Sequence, residues 1–386
     1  MEIANKQNFD DIRPLYDHEV PHAINTLLSD DYFRQAAEPL LKPISWEVFS
    51  EAMLACKSVY DFQRTVIYPF MKQLIAKTTS ELNAVGFDKL KNGSSHILIS
   101  NHRDIVLDAA FLNILFFDKK INTSEIAIGD NLLIYPWIIK LVRLNKSFIV
   151  KRSVSVREML DTSKHLSEYI FDTIANRNQS VWIAQREGRA KDSDDKTQTS
   201  LLKMLTLHNS SNPVEALKPL NILPLSITYE FDPCDYLKAQ EYQLKRDNPE
   251  YKKSQADDIE NMRTGILGFK GRVSFKFGDP INSELSKISS DTNRAQVLEL
   301  AAKAIDTEIY KNYTFFPINY IAYDLMENNN SFSDKYTDED KAFFDNYLNE
   351  QITKINIPNK DHAFLREKLI EMYGNTVKNF VSAQEV

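Results

Sequence analysis

The sequence predicts an α/β fold, a mixed sheet flanked by helices, with helical N-terminal and C-terminal regions. Two observations carry this expectation. Between about residues 84 and 290, short apolar runs alternate with longer amphipathic stretches, as strands joined by helices require. On either side, apolar residues recur at spacings of three and four. The expected division is a helical N-terminal domain over 1–83, an α/β domain over 84–290 and a helical region over 291–386. A chain of 386 residues, 43% hydrophobic and 11% aromatic, suffices for a sizeable core.

In the first region, Val20 to Leu28 and Tyr32 to Leu41 read as two short helices broken at Ser29-Asp30-Asp31. From Pro43 to about Leu82 the pattern is again helical. Val59, Phe62, Val66, Phe70 and Leu74 share a face, Ser58 and Asp61 resemble a capping box, and Pro69 is placed to kink the helix. After Gly86, strands are expected at Ile97–Ser100, Phe148–Val150, Val181–Ala184, Ile222–Thr228 and Val273–Phe277, with helices from Ile105 and Val156. Past Asp291, Leu298, Ala301, Ile305 and Ile309 line one helix face, and further helices are expected near Glu339–Ile352 and His362–Val377.

Composition excludes several classes. A formal net charge of −7 argues against a surface built for duplex nucleic acid, so any anion site must be local. Cys56 and Cys234 are the only cysteines, which supports neither a disulfide framework nor a thiolate metal site and fits a reducing cytoplasm. Met1 to Lys6 lacks the pattern of a secretory signal. Leu132 to Ile139, an uninterrupted apolar stretch, is far shorter than the roughly 18 to 20 residues of a membrane span. Surface attachment stays open: Leu132 to Ile138, with Lys140 and Arg143 beside it, reads either as an interfacial patch or as a core helix.

Chemistry concentrates in four segments. Asn101-His102-Arg103-Asp104 leaves the strand at Ile97–Ser100, and Asp108 follows. An imidazole titrates near neutrality and can take a proton from a hydroxyl, and a carboxylate within reach would fix its tautomer. Asp108 is the candidate partner; Asp104 stands where a cap would bond the first free amides of a helix. Phe148 to Arg152 is a strand ending in Lys151 and Arg152, which either hold a phosphate or simply end the strand in solvated charge. Trp182 to Lys191 runs from a strand into a turn holding Arg186, Glu187, Gly188, Arg189 and Lys191, a phosphate grip or a solvated loop. Glu187 stands among three cations there and should stay ionised. Finally, Pro224 interrupts the apolar strand Ile222–Ile227, which suggests an edge or irregular position, walling an acyl groove or belonging to the core.

In this order and spacing, the region from about Lys89 to Asn282 resembles the glycerophosphate and lysophosphatidate acyltransferase superfamily. The resemblance lies in His102 to Asp108, Phe148 to Arg152, Glu187 to Arg189 and Ile222 to Ile227, with Lys196-Thr197-Gln198-Thr199 and Phe277-Gly278-Asp279-Pro280 similar to later family segments. Three departures stand out: five residues between His102 and Asp108 instead of four, no residue between Gly188 and Arg189, and Lys146 where the second block has glycine. On a regular helix one extra residue turns Asp108 by about 100° from the ring.

The resemblance implies transfer of a fatty acyl group from acyl-CoA or acyl-ACP to a hydroxyl of glycerol 3-phosphate or a lysophospholipid-type acceptor, with no further cofactor. His102 would be the base and Asp108 its partner. Arg152 and Arg189 would hold the phosphate and Glu187 would position the glycerol, with Arg103, Lys151, Arg186, Gly188, Lys191 and Pro224 also around the substrate. The implied partners are acyl carrier protein or acyl-CoA, the lipid acceptor and a peripheral membrane surface at the inner face of the cytoplasmic membrane. Acceptor identity stays open and includes a hydroxylated amino-acid lipid. The alternatives are a catalytically silent lipid-binding or scaffold protein of the same fold, and a hydrolase with His102, Asp104 and Asp108 as metal ligands.

Overall fold

The computed structural model describes residues 8–90, 93–209 and 211–384; Met1 to Lys6, read above for a signal, lies outside them. Among the described residues, seven strands build one sheet: β1 (Glu81–Val85), β2 (Ile97–Ser100), β3 (Glu125–Gly129), β4 (Ser147–Val150), β5 (Val181–Ala184), β6 (Leu223–Tyr229) and β7 (Arg272–Phe277). Their order is β1-β7-β6-β2-β5-β3-β4. Strands β2 to β6 run parallel, whereas β7 is antiparallel to β6 and β1 is parallel to β7. After β2 the chain builds β3 to β5 on one side, then crosses to β6 on the other. The carboxyl ends of β2, β5 and β6 therefore border a crevice, where open α/β sheets bind ligands.

Helices α1 (Val20–Leu28), α2 (Asp31–Ala37), α3 (Trp46–Leu54), α4 (Val59–Phe62) and α5 (Tyr68–Thr78) precede the sheet. Asp30 caps α2 by accepting from the Tyr32 and Phe33 amides, and the expected Ser58–Asp61 capping box opens α4. The expected single helix is interrupted: Ala55 to Ser58 separate α3 from α4, and a π-helical turn, Gln63–Ile67, precedes Pro69 at the start of α5. Within the α/β layers lie α6 (Leu107–Asp118), α7 (Pro136–Leu144), α8 (Val156–Phe171), α9 (Thr199–Leu205), α10 (Pro213–Leu217), α11 (Asp235–Asp247) and α12 (Gln255–Leu267). The remainder is α13 (Asn282–Lys287), α14 (Arg294–Lys311), α15 (Pro317–Met326), α16 (Asp338–Lys354) and α17 (His362–Gln384).

Alternation along the strands sorts the core onto two faces. Ile97, Ile99, Val181 and Ile183 face α8, α9 and α14, with Tyr169, Leu202 and Ile305 in the same cluster. Leu98, Trp182, Leu225 and Ile227 face α5 and α6, with Leu74, Phe111 and Leu112. The N-terminal helices form their own cluster around Phe33, Trp46 and Phe62, and α7 joins it through Leu144, Trp137 and Leu141. A fourth cluster joins α15, α16 and α17.

Four expectations change. Strands β1 and β3 were not expected; β1, Glu-Leu-Asn-Ala-Val, alternates exposed with half-buried residues, and its residues lie across position 83. Helix α6 starts at Leu107, not Ile105. Pro224 is not on an edge: β6 lies inside the sheet, paired with β2 through Ile99 and Pro224. Proline is tolerated there because pairing with β7 begins only at Leu225 and Phe277, so the missing N–H points past the end of β7, where Gly278 N–H donates to the Pro224 carbonyl. Lys146, which stands where glycine resembles the family pattern, adopts the left-handed φ of 60° that glycine favours. Its Nζ is tied to the Thr123 carbonyl and Gln179 Oε1.

Candidate active site

His102 leaves the carboxyl end of β2 beside β5 and β6. Asn101 fixes that end: its side-chain amide donates to the Ile227 carbonyl and accepts from the Ile227 N–H, both at 2.8 Å, continuing the ladder to β6. Trp182 Nε1 donates to Ser100 Oγ, and its ring meets the His102 ring edge to face, with centroids 5.7 Å apart. His102 Nδ1 lies 2.8 Å from Asp108 Oδ2. The same oxygen accepts from the N–H groups of Arg103 at 2.7 Å and Asp104 at 3.1 Å. A carboxylate only accepts, so Nδ1 carries the proton and Nε2 presents a lone pair to the crevice. The extra residue between His102 and Asp108 is absorbed because residues 103–106 form a turn and Asp108 lies in the first turn of α6.

Asp104 takes the capping role: Oδ1 accepts from the Val106 and Leu107 amides at 2.9 and 2.8 Å. Its other oxygen packs on α12, where a Cβ on Gly265 would lie 2.0 Å from Oδ2. Burial, then the nearby Asp108, raises the Asp104 carboxyl above its ordinary value, against Arg189 and the two amides. One turn earlier on α12, Asn261 Oδ1 accepts from Arg189 Nη2 at 3.2 Å. Helix α12 thus ties the turn after His102 to the turn after β5. Among the described residues, no three His, Cys, Asp or Glu side chains are grouped to hold a metal ion.

The expected cations separate. Arg103 is buried and directed away from His102: Nη2 donates to Asp195 Oδ2 at 2.6 Å, which also accepts from the Tyr313 hydroxyl at 2.9 Å. Burial works against the Arg103 charge, but Asp195 and Tyr313 outweigh it and hold the guanidinium above its ordinary value. Arg103 Nη1 is buried without a hydrogen-bond partner among the described residues. Lys151 turns to Asp11 at the N-terminal segment, because successive strand residues face opposite sides. Lys191 pairs with Glu241 of α11. Glu187 is exposed and pairs with Arg152 at 3.0 Å, not with the three cations of its own turn.

Arg152 and Arg186 remain as candidates for an open phosphate site. Arg186 has no ion pair among the described residues, and its Nε is buried without a partner. Arg189 lies deeper, near Asp232 and Cys234. Burial opposes its charge, and Cys234, Asp232 and Asp104 raise it overall. Its Nη1 is also unpartnered. Gly188 makes the turn between these arginines at φ 69°. Pro224 is buried within β6.

Residues 81–226 match the family described as Acyltransferase. The matched segment, less than half of the chain, resembles that family. The match spans His102, Asp108, Arg152 and Arg186 to Arg189. A crystal structure of 1-acyl-sn-glycerophosphate (LPA) acyltransferase, PlsC, from Thermotoga maritima is similar over 78% of this chain and 97% of its own. Its sequence identity is 13% and its TM-score 0.35, too distant a likeness to carry chemistry between the two. No curated protein matches the sequence. No helix among the described residues is long and apolar enough to cross a membrane.

Around His102 the structure also places residues that sequence reasoning missed. Gln185, fully buried where β5 ends, has neither side-chain oxygen nor nitrogen hydrogen-bonded among the described residues. The Tyr229 hydroxyl lies beside Asp108 and is held protonated by burial and by the carboxylates of Asp108 and Asp104, without meeting hydrogen-bond geometry to either. Asp195, Asn261 and Gly265 lie far along the chain from His102, and no local pattern marks them. Asn101 was visible beside His102, but its pairing with Ile227 needs the strand order.

Proposed function

We propose that the chain transfers a fatty acyl group from acyl-CoA or acyl-ACP to a hydroxyl of glycerol 3-phosphate or a lysophospholipid-type acceptor. The 2.8 Å contact between His102 Nδ1 and a buried Asp108 oxygen carries this reading, since it leaves Nε2 as a base at the mouth of the crevice. The acceptor hydroxyl gives its proton to Nε2 as its oxygen attacks the thioester carbonyl carbon. The tetrahedral intermediate then collapses, the carbon–sulfur bond breaks, and His102 returns the proton to the leaving thiolate. Asp108 keeps the ring oriented and offsets the imidazolium charge. Arg152 and Arg186 hold the acceptor phosphate, Arg152 exchanging its exposed pair with Glu187 for it. Such a substrate class places the protein at the inner face of the cytoplasmic membrane.

The silent-scaffold alternative rests on changed spacing in two motifs, the added residue before Asp108 and the missing one between Gly188 and Arg189. The turn after His102 absorbs the first, and the contact of base and partner favours catalysis. An acceptor panel with acyl-CoA tests the proposal. Turnover should be found with glycerol 3-phosphate or its 1-acyl derivative and lost with the dephosphorylated acceptor. Turnover indifferent to phosphate would remove Arg152 and Arg186 from their role, and no turnover on any acceptor would reject the reading.

A further inference from the structure

Gly129 ends β3 and pairs with Val150 of β4, two residues before Arg152. Glycine weakens a strand, so its use there calls for a reason. Backbone conformation does not supply one: φ is −71° and ψ 138°, extended values open to any residue. The space beside it does. A Cβ on Gly129 would lie 2.5 Å from Asn131 Oδ1, 2.9 Å from Arg152 Nε and 3.1 Å from Arg152 Cζ. Non-bonded atoms pack at about 3.5–4.0 Å, so the Arg152 guanidinium fills the volume that a side chain at 129 would take.

The sheet order explains why the arginine lies there. Strand β3 stands between β4, which Arg152 leaves, and β5, which leads to Glu187. Arg152 Nη1 donates to Glu187 Oε1 at 3.0 Å. To reach it, the side chain crosses the end of β3, about two strand spacings of roughly 4.8 Å each. The crossing carries the guanidinium toward β5 and β2, and β2 presents His102. The residue after Gly129 anchors the same arginine by its main chain: Asp130 Oδ1 accepts from the Arg152 N–H at 3.1 Å.

We propose that Gly129 is a positioning residue for the acceptor site. By carrying no side chain it lets the Arg152 guanidinium lie across the end of β3, and so fixes where the acceptor phosphate binds relative to His102. This rests on the acyltransferase reading above, in which Arg152 holds that phosphate.

The test is a double-mutant cycle on Gly129→Ala and Arg152→Ala. It is read as the KM for the phosphorylated acceptor at saturating acyl-CoA, and as calorimetric binding of glycerol 3-phosphate and its 1-acyl derivative. Alanine adds only the Cβ, and the groups it meets belong to exposed side chains, so the urea unfolding midpoint should stay at or above the native one. Gly129→Ala should raise that KM and weaken acceptor binding roughly tenfold, with kcat and the KM for acyl-CoA near native. Arg152→Ala should lose at least as much, and the double variant no more than Arg152→Ala alone, because the glycine acts through the arginine. Additive losses, a change confined to kcat, or loss of the fold in Gly129→Ala overturns the proposal, as does native protein that binds neither acceptor. Impaired Arg152→Ala beside native Gly129→Ala removes the seat and leaves the acyltransferase reading standing. The expected binding pattern without turnover on any acceptor supports the seat and rejects that reading.

Discussion

Asp108 Oδ2 accepts three hydrogen bonds, from His102 Nδ1 and from the amides of Arg103 and Asp104. The turn that carries the base is therefore built around its partner. Asp108→Asn should lower acyl transfer by about 10²–10⁴-fold, because an amide can present the wrong group to Nδ1 and leave the tautomer unfixed. Steady-state rates on one acceptor, with an unfolding curve to confirm the fold, check it. Residue type and order singled out His102 and Asp108 as a pair. Their contact was not legible, because a helix assumed from Ile105 turns Asp108 away, whereas the observed turn delays the helix to Leu107. A separate residue governs pH. Asp235 accepts from the Tyr347 and Tyr373 hydroxyls at 2.6 and 2.8 Å, and burial pushes its carboxyl up to about 7 from 3.8. The folded state then holds a proton that the unfolded chain releases, so this contribution to stability is full below about pH 4 and lost as pH rises through about 7. Asp235→Asn should gain stability relative to native over that window, by at most on the order of 4 kcal/mol. Denaturant unfolding at pH 5 and pH 8 measures it; a gap independent of pH would contradict the assignment.

At the level of elements, α12 spans the site. Alanine usually improves a helix over glycine by about 1 kcal/mol. At Gly265 the added methyl would collide with Asp104 Oδ2. Gly265→Ala should therefore destabilise by about 1–3 kcal/mol, as overpacking does, and slow turnover by displacing the turn after His102. A stability gain in urea unfolding would show that α12 is not packed as described. Strands β2 and β5 were legible to the residue because their apolar runs are compact and bounded. Strands β1 and β3 were not: Glu-Leu-Asn-Ala-Val and Glu-Ile-Ala-Ile-Gly are brief, mixed in character and stabilised by neighbours distant in sequence. The Pro224 reading failed for a related reason. A proline in a strand signals an interrupted ladder, but only the register shows that the interruption falls where β7 has ended.

Across the whole molecule, the sheet order gathers segments separated by long stretches of chain at one end. The division of labour among the cations was out of reach of the sequence. Arg103, Lys151 and Lys191 find their carboxylates at Asp195, Asp11 and Glu241, each contributed by a distant segment. Arg186→Ala should raise KM for a phosphorylated acceptor by roughly 10- to 100-fold, the weight of a hydrogen bond to a charged group, with Lys151→Ala near native. Equal KM effects would contradict the assignment. The central claim, that His102 is the base of an acyl transfer, is tested most directly by thiol release from acyl-CoA with a phosphorylated glycerol acceptor. Native protein should turn over and His102→Ala should fall to the uncatalysed background while keeping its fold; turnover by His102→Ala at the native rate would contradict the account.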